Sequence, residues 1–320
     1  MHVTSLRVSV TDACNLRCRY CAPDIDRAQP SAATPLSLEQ LGDAALWLVE
    51  HAGARSIRLT GGEPLVRPGL ERLVARLAAA QDVHEVTLTT NGALLARDAV
   101  RLAESGLARV NVSIDSLDPQ RFADLTRGGR VADTLLGIDA ALAAGLDPLK
   151  LNSVLLRSTW REDVPALLDF AAARDVEIRF IELMRTGTAR AWCEDEFVGA
   201  DEVRTALGLE AAYAPRGASP ARSARLAWRG RDVTVGWITP RTHAFCGACD
   251  RLRLDAHGRL RRCLMDPESL PFWPAGGASP APTATQHAGA PDAAAVFAYL
   301  TGKRAPRSMD SEHAMHTIGG

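Results

Sequence analysis

Six of the chain's seven cysteines fall into two triplets, Cys14, Cys18 and Cys21 near the start and Cys246, Cys249 and Cys263 in the last quarter. Thiolates at spacings of C-x3-C-x2-C and C-x2-C-x13-C can converge on one metal centre. Each triplet supplies three ligands, whereas a closed structural site takes four, so each leaves a metal position open to a small molecule. Three thiolates can hold three irons of a [4Fe–4S] cluster and leave the fourth for a chelating substrate. The alternatives at the first triplet are a zinc site and a redox dithiol. Zinc needs a fourth ligand, and residues 22–50 contain neither His nor Cys. Cys193 stands alone and reads as a small hydrophobe.

These residues need elements to carry them. Short apolar runs at residues 6–10, 56–60, 85–89, 109–113, 149–155 and 177–181 predict strands. Between them, amphipathic stretches at 38–51, 70–80, 98–105, 134–144 and 164–173 predict helices. Ser37 with Gln40 forms a capping-box start, and Gly106 and Gly145 stand at helix ends. Six β–α repeats predict an α/β fold with a parallel sheet, here an incomplete (β/α)6 barrel, with a doubly wound sheet as the second choice. In either, ligands gather at the C-terminal ends of the strands. The first triplet follows the first strand at once and so lies over that end.

After residue 187 the rhythm changes. A helix is expected at 201–207 and a loop at 214–224. A hairpin is expected about Gly230, another about His257-Gly258, and a short helix near 293–300. The expected division is a barrel at 1–213 and a C-terminal region at 214–320 whose antiparallel strands close the open side. Residues 274–291 are low in complexity.

The 320 residues are 47% hydrophobic, enough for a sizeable core, and the net charge of −1 gives no general field for nucleic acid. No apolar run reaches the length of a membrane span, and the first ten residues do not read as a signal peptide. A cytoplasmic setting is expected, where thiols stay reduced. Lys150 and Lys303 are the only lysines, and a lysine persisting in so arginine-rich a chain hints at function.

The first triplet, with Tyr20 before its last cysteine, is followed one β–α unit later by Thr60-Gly61-Gly62-Glu63-Pro64. The glycines admit close backbone approach, and Glu63 can accept from an ammonium group. Together these motifs resemble the radical S-adenosylmethionine (SAM) superfamily. The resemblance implies a [4Fe–4S] cluster whose electron splits SAM into methionine and a 5′-deoxyadenosyl radical, with the amino group of SAM near Gly62 and Glu63. The second triplet with Arg251-Leu252-Arg253 resembles the GTP 3′,8-cyclase family (molybdenum cofactor biosynthesis protein A). The likeness extends through Asn111-Val112-Ser113-Ile114-Asp115, Lys150-Leu151-Asn152 and Arg179-Phe180-Ile181-Glu182-Leu183-Met184 to Gly319-Gly320.

That family implies a second three-cysteine [4Fe–4S] cluster contacting the guanine of GTP. It places Tyr20, Gly62, Ser113, Asn152 and Met184 on SAM. It places Arg7, Arg58, Thr89, Lys150, Arg251, Leu252 and Arg253 on GTP. Arg251, Arg253 and the tail glycines Gly319 and Gly320 would assist catalysis. The implied product is 3′,8-cyclo-7,8-dihydro-GTP, passed to cyclic pyranopterin monophosphate synthase. A flavodoxin- or ferredoxin-like electron donor is implied, and a homodimer is admissible. The chain departs from the family pattern at Ser56, where a lysine is usual, at Ala22, where Met is usual, and at Arg185, where proline is common. A related two-cluster enzyme acting on a peptide or another nucleotide is the rival reading. A non-catalytic iron–sulfur or zinc protein ranks behind it.

Overall fold

Period-two alternation builds the sheet. In β1 (Ser5–Ser9), Leu6 and Val8 are fully buried on one face, while Ser5, Arg7 and Ser9 take the other. The same arrangement recurs in β2 (Ser56–Thr60), β3 (Glu85–Thr90), β4 (Arg109–Ser113), β5 (Lys150–Leu155) and β6 (Glu177–Glu182). These strands are neighbours in chain order and all parallel. The computed structural model describes residues 3–21, 34–215, 220–246, 249–273, 293–301 and 310–311.

Six helices connect the strands: α1 (Leu38–Ala52), α2 (Leu70–Ala78), α3 (Leu95–Glu104), α4 (Pro119–Thr126), α5 (Val131–Ala143) and α6 (Trp160–Arg174). Their apolar stripes join the outward faces of the strands in one continuous core. The capping box at Ser37 and Gln40 is present with both of its hydrogen bonds. The helix α4 was not expected from the sequence. Asp118 caps it by accepting from the Arg121 N–H, Pro119 opens it, and the chain turns left-handed at Arg127.

Beyond β6 come β7 (Arg185–Thr186), α7 (Cys193–Glu196), α8 (Ala200–Leu207), β8 (Ala214–Pro215), β9 (Arg222–Trp228) and β10 (Arg231–Ile238). The strands β8 and the start of β9 fall in the stretch expected as loop. Their pairing is a long-range backbone ladder that local composition does not reveal. The β9–β10 turn carries positive φ at both Arg229 and Gly230, the signature of a type I′ hairpin. Next come β11 (Arg251–Leu254), β12 (Arg259–Arg261), β13 (Leu270–Pro271), α9 (Ala293–Thr301) and β14 (Asp310–Ser311).

The antiparallel C-terminal strands are present as two sets, one at each end of the arc. The strand β10 joins β6, and β11 joins β1, both in parallel. The sheet order is therefore β13-β12-β11-β1-β2-β3-β4-β5-β6-β10-β9-β8, an arc extended at both ends by late segments. Separately, β14 pairs with β7 beside Met184. Residues 274–291 and the tail glycines Gly319 and Gly320 lie outside the described residues. Among the described residues no helix is long and apolar enough to cross a membrane.

Candidate active site

The inward faces of the strands line one cavity of about 280 Å³. All six cysteines of the two triplets border it, together with Tyr20, Gly62, Ser113, Asn152 and Met184. Thr89 and the arginines Arg7, Arg58, Arg179, Arg251 and Arg253 border it too. Residues separated by some 240 positions thus share one chamber because β11 lies alongside β1, with Arg253 opposite Arg7 and Arg7 opposite Arg58.

The first triplet is held from three sides. Arg17 and Arg19 donate backbone N–H to the carbonyls of Thr126 and Leu125 at the end of α4. Gly62 and Glu63 donate to Thr11 and Ala13 at 2.8 Å each. A Cβ on Gly62 would stand 2.3 Å from the Ala13 carbonyl oxygen, so only glycine lets this turn stack on the cysteine loop. The Tyr20 hydroxyl donates to Asp115 at 2.7 Å, and the other oxygen of Asp115 accepts from the Val154 N–H. Burial raises the Asp115 carboxyl to about 6. His257, in the β11–β12 turn, contacts Asp12 at 3.3 Å and ties the loop to the C-terminal strands.

The thiols are free, and within each triplet the cysteines act electrostatically on one another. Burial raises Cys14 to about 11 and Cys18 well above its ordinary value. Thiolates at such positions call for positive metal charge. Among the described residues no three His, Cys, Asp or Glu side chains are already drawn together around a single metal ion. Backbone N–H groups of Leu16 and Met265 donate to Cys14 Sγ and Cys263 Sγ, each at 3.4 Å, as hydrogen bonds to cluster sulfurs do. The donor set fits a three-thiolate iron–sulfur cluster.

The opposite wall is basic. Burial, then Arg253, Arg251 and Arg58, holds Arg7 well below its ordinary value. Burial and neighbouring cations bring Arg58 and Arg253 to about 10. Arg7 pairs with no carboxylate among the described residues. So much buried positive charge is tolerable when a polyanion shares it.

Three expected positions stand elsewhere. Lys150 does not line the cavity; it pairs with Glu177 at 3.1 Å, and Arg179 takes the other Glu177 oxygen at 2.8 Å. Glu63 is buried and does not line it either, because it accepts from the Leu65 and Asn91 N–H groups and the Thr90 hydroxyl. It holds the turn, and no ammonium need reach it. Leu252 is fully buried on the outward face of β11, as the alternation between Arg251 and Arg253 requires. Sequence reasoning missed Arg179, Asn111 and Asp115 as cavity residues. The signal for Asn111 was available, since it shares Ser113's face two residues away. Ser56 lies opposite Glu85, which binds Arg109 through two hydrogen bonds of 2.7 and 3.0 Å.

Comparison with known proteins agrees with this geometry. Residues 8–171 match the Radical SAM superfamily and residues 176–275 match Molybdenum Cofactor Synthesis C. The chain is 43% identical to the GTP 3′,8-cyclase of Pelotomaculum thermopropionicum over 82% of both chains. It is 44% identical to GTP 3′,8-cyclase 1 of Pseudomonas aeruginosa over 83% of this chain and 80% of that one. Among solved structures, HydG, a maturase of the [FeFe]-hydrogenase, is similar in fold alone: 13% identity and a TM-score of 0.51 over 64% of this chain and 49% of that chain. A cysteine-lined parallel arc, two matching domain models and long relatives of one activity converge: the chain belongs to the GTP 3′,8-cyclase family of the radical SAM superfamily.

Proposed function

We infer that this chain converts GTP to 3′,8-cyclo-7,8-dihydro-GTP, the first step of molybdenum cofactor biosynthesis. The observation that carries this reading is the shared chamber: both cysteine triplets and a buried arginine wall border one cavity. Cys14, Cys18 and Cys21 would hold the cluster of the superfamily, and Cys246, Cys249 and Cys263 a second one. When bound, cluster and SAM supply hydrogen-atom abstraction from an unactivated C–H bond.

The chain's own residues position and shield. Tyr20, locked by Asp115, and the Gly61-Gly62 turn form the SAM side, with Ser113, Asn152 and Met184 around it. Arg7, Arg58 and Thr89 face the triphosphate, and Arg179, more than Lys150, is the cation presented there from the β5–β6 side. Arg251 and Arg253 alternate on β11 directly after Cys249, which orients the guanine next to the second triplet. On substrate, the 3′ hydrogen leaves, C3′ bonds to C8, and one electron and one proton complete the dihydropurine. The strands added at both ends of the arc wall the chamber and limit water at the reacting carbon. The barrel of residues 1–213 generates the radical and residues 214–320 supply the substrate side. The strand β14 pairs with β7 next to Met184, and the tail glycines Gly319 and Gly320 would assist at the substrate. A flavodoxin- or ferredoxin-like protein would supply electrons, and cyclic pyranopterin monophosphate synthase would take the product.

The test is anaerobic reconstitution followed by SAM, dithionite and GTP deuterated at C3′. We expect about eight irons per chain, cyclised nucleotide, and deuterium in the 5′-deoxyadenosine released. About four irons would remove the second cluster. Deoxyadenosine without deuterium, and no cyclised product, would remove GTP as substrate.

A further inference from the structure

Asn111 is only 1% exposed, lines the cavity, and its Oδ1 has no hydrogen-bond partner. Buried carboxamides are ordinarily paired at both ends. Several buried polar groups around this chamber follow that rule: Thr90 donates to Glu63, Asp115 accepts from Tyr20 and Val154, and Arg179 binds Glu177. An orphaned amide oxygen on a residue lining a ligand chamber marks a partner that the protein does not itself supply.

Its place in the sheet says which part of a ligand that is. In register, Asn111 stands between Thr89 on β3 and Lys150 on β5. Ser113, two residues nearer the mouth, stands opposite Asn152, whose own Oδ1 is also unpaired. Asn111 therefore lies one layer below the Ser113–Asn152–Arg179 row, towards Arg58, whose register partner Thr87 stands two residues before Thr89. Phosphate oxygens accept hydrogen bonds, and a half-turn of the carboxamide presents its two N–H groups to them.

We propose that Asn111 is a further substrate-contacting residue, its carboxamide donating to the phosphate end of the bound nucleotide. The proposal rests on GTP being the substrate and adds a neutral donor to the cationic wall. A neutral donor fills a position where another cation would add to the repulsion among Arg7, Arg58 and Arg253.

The test measures equilibrium binding of GTP and of guanosine to anaerobically reconstituted protein, for the parent, N111D and N111S. Circular dichroism and iron content serve as fold controls. N111D sets a carboxylate against the phosphates and should weaken GTP by about tenfold or more, with N111S weakening it about threefold. Guanosine, lacking phosphates, should change less than about twofold in either variant. If N111D fails to fold, N111S carries the comparison. GTP affinity unchanged in the folded variants would overturn the contact. Equal weakening of GTP and guanosine would overturn its assignment to phosphate. A parent protein that binds no GTP would overturn the substrate reading and the proposal with it, an outcome distinct from parent binding that the variants leave intact.

Discussion

Glu63 shows how a side chain in a ligand motif can serve the fold. Its two oxygens take three donors, from Leu65, Thr90 and Asn91, and burial pushes its carboxyl up to about 7. A folded value above the unfolded one of about 4.3 means the folded state holds more proton between these values. The stability this group contributes is therefore full at low pH and is lost as pH rises through about 7. E63Q should lower the free energy of urea unfolding by about 1–3 kcal/mol at pH 5, with the gap to the parent narrowing towards pH 8. A gap that widens with pH would reverse the assigned direction. The cysteines and Arg7, Arg58, Arg251 and Arg253 were legible in the sequence because short spacing and strand alternation place them without knowledge of distant partners. Lys150 and Glu63 were not: their carboxylate and N–H partners lie on other strands, and only register brings them together.

Among the elements, the parallel strands and most helices were legible from periodicity, and the hairpin about Gly230 from its turn chemistry. What local pattern does not hold is which strand seeks which edge; β11 beside β1 and β10 beside β6 are choices of the whole chain. The contact between the Gly62 turn and the cysteine loop belongs here too. A methyl group on Gly62 would press on the Ala13 carbonyl and on the Asp12 oxygen at 2.8 Å, both backbone atoms with little freedom. G62A should cost about 1–3 kcal/mol of stability and displace the loop. Its readouts are lower iron content after reconstitution and SAM affinity reduced by about tenfold. Iron and SAM binding equal to the parent would show that the loop does not depend on this stacking.

For the molecule as a whole, the chamber is a store of like charge. Arg58 and Arg253 titrate near 10, below the ordinary guanidinium value of about 12.5. For a base with a lowered folded value, the unfolded state binds more protons between those values. Stability from these groups therefore rises only above about pH 10, and at neutral pH their repulsion is fully present. A polyanion relieves it. At one hundred times its Kd, GTP should add about 2.7 kcal/mol, seen as a rise in Tm of a few degrees, and inorganic triphosphate should give part of that rise. A Tm unmoved by triphosphate would show that the arginine wall does not bind phosphate. The arc, finally, orders events in time. The cysteine loop of the first triplet emerges early in synthesis, yet its chamber wall at β1 is completed by β11, made near the end. Before that strand docks, a cluster on the loop would face solvent on one side. Iron delivered to a finished, folded chain should thus yield more intact centres than iron delivered during translation.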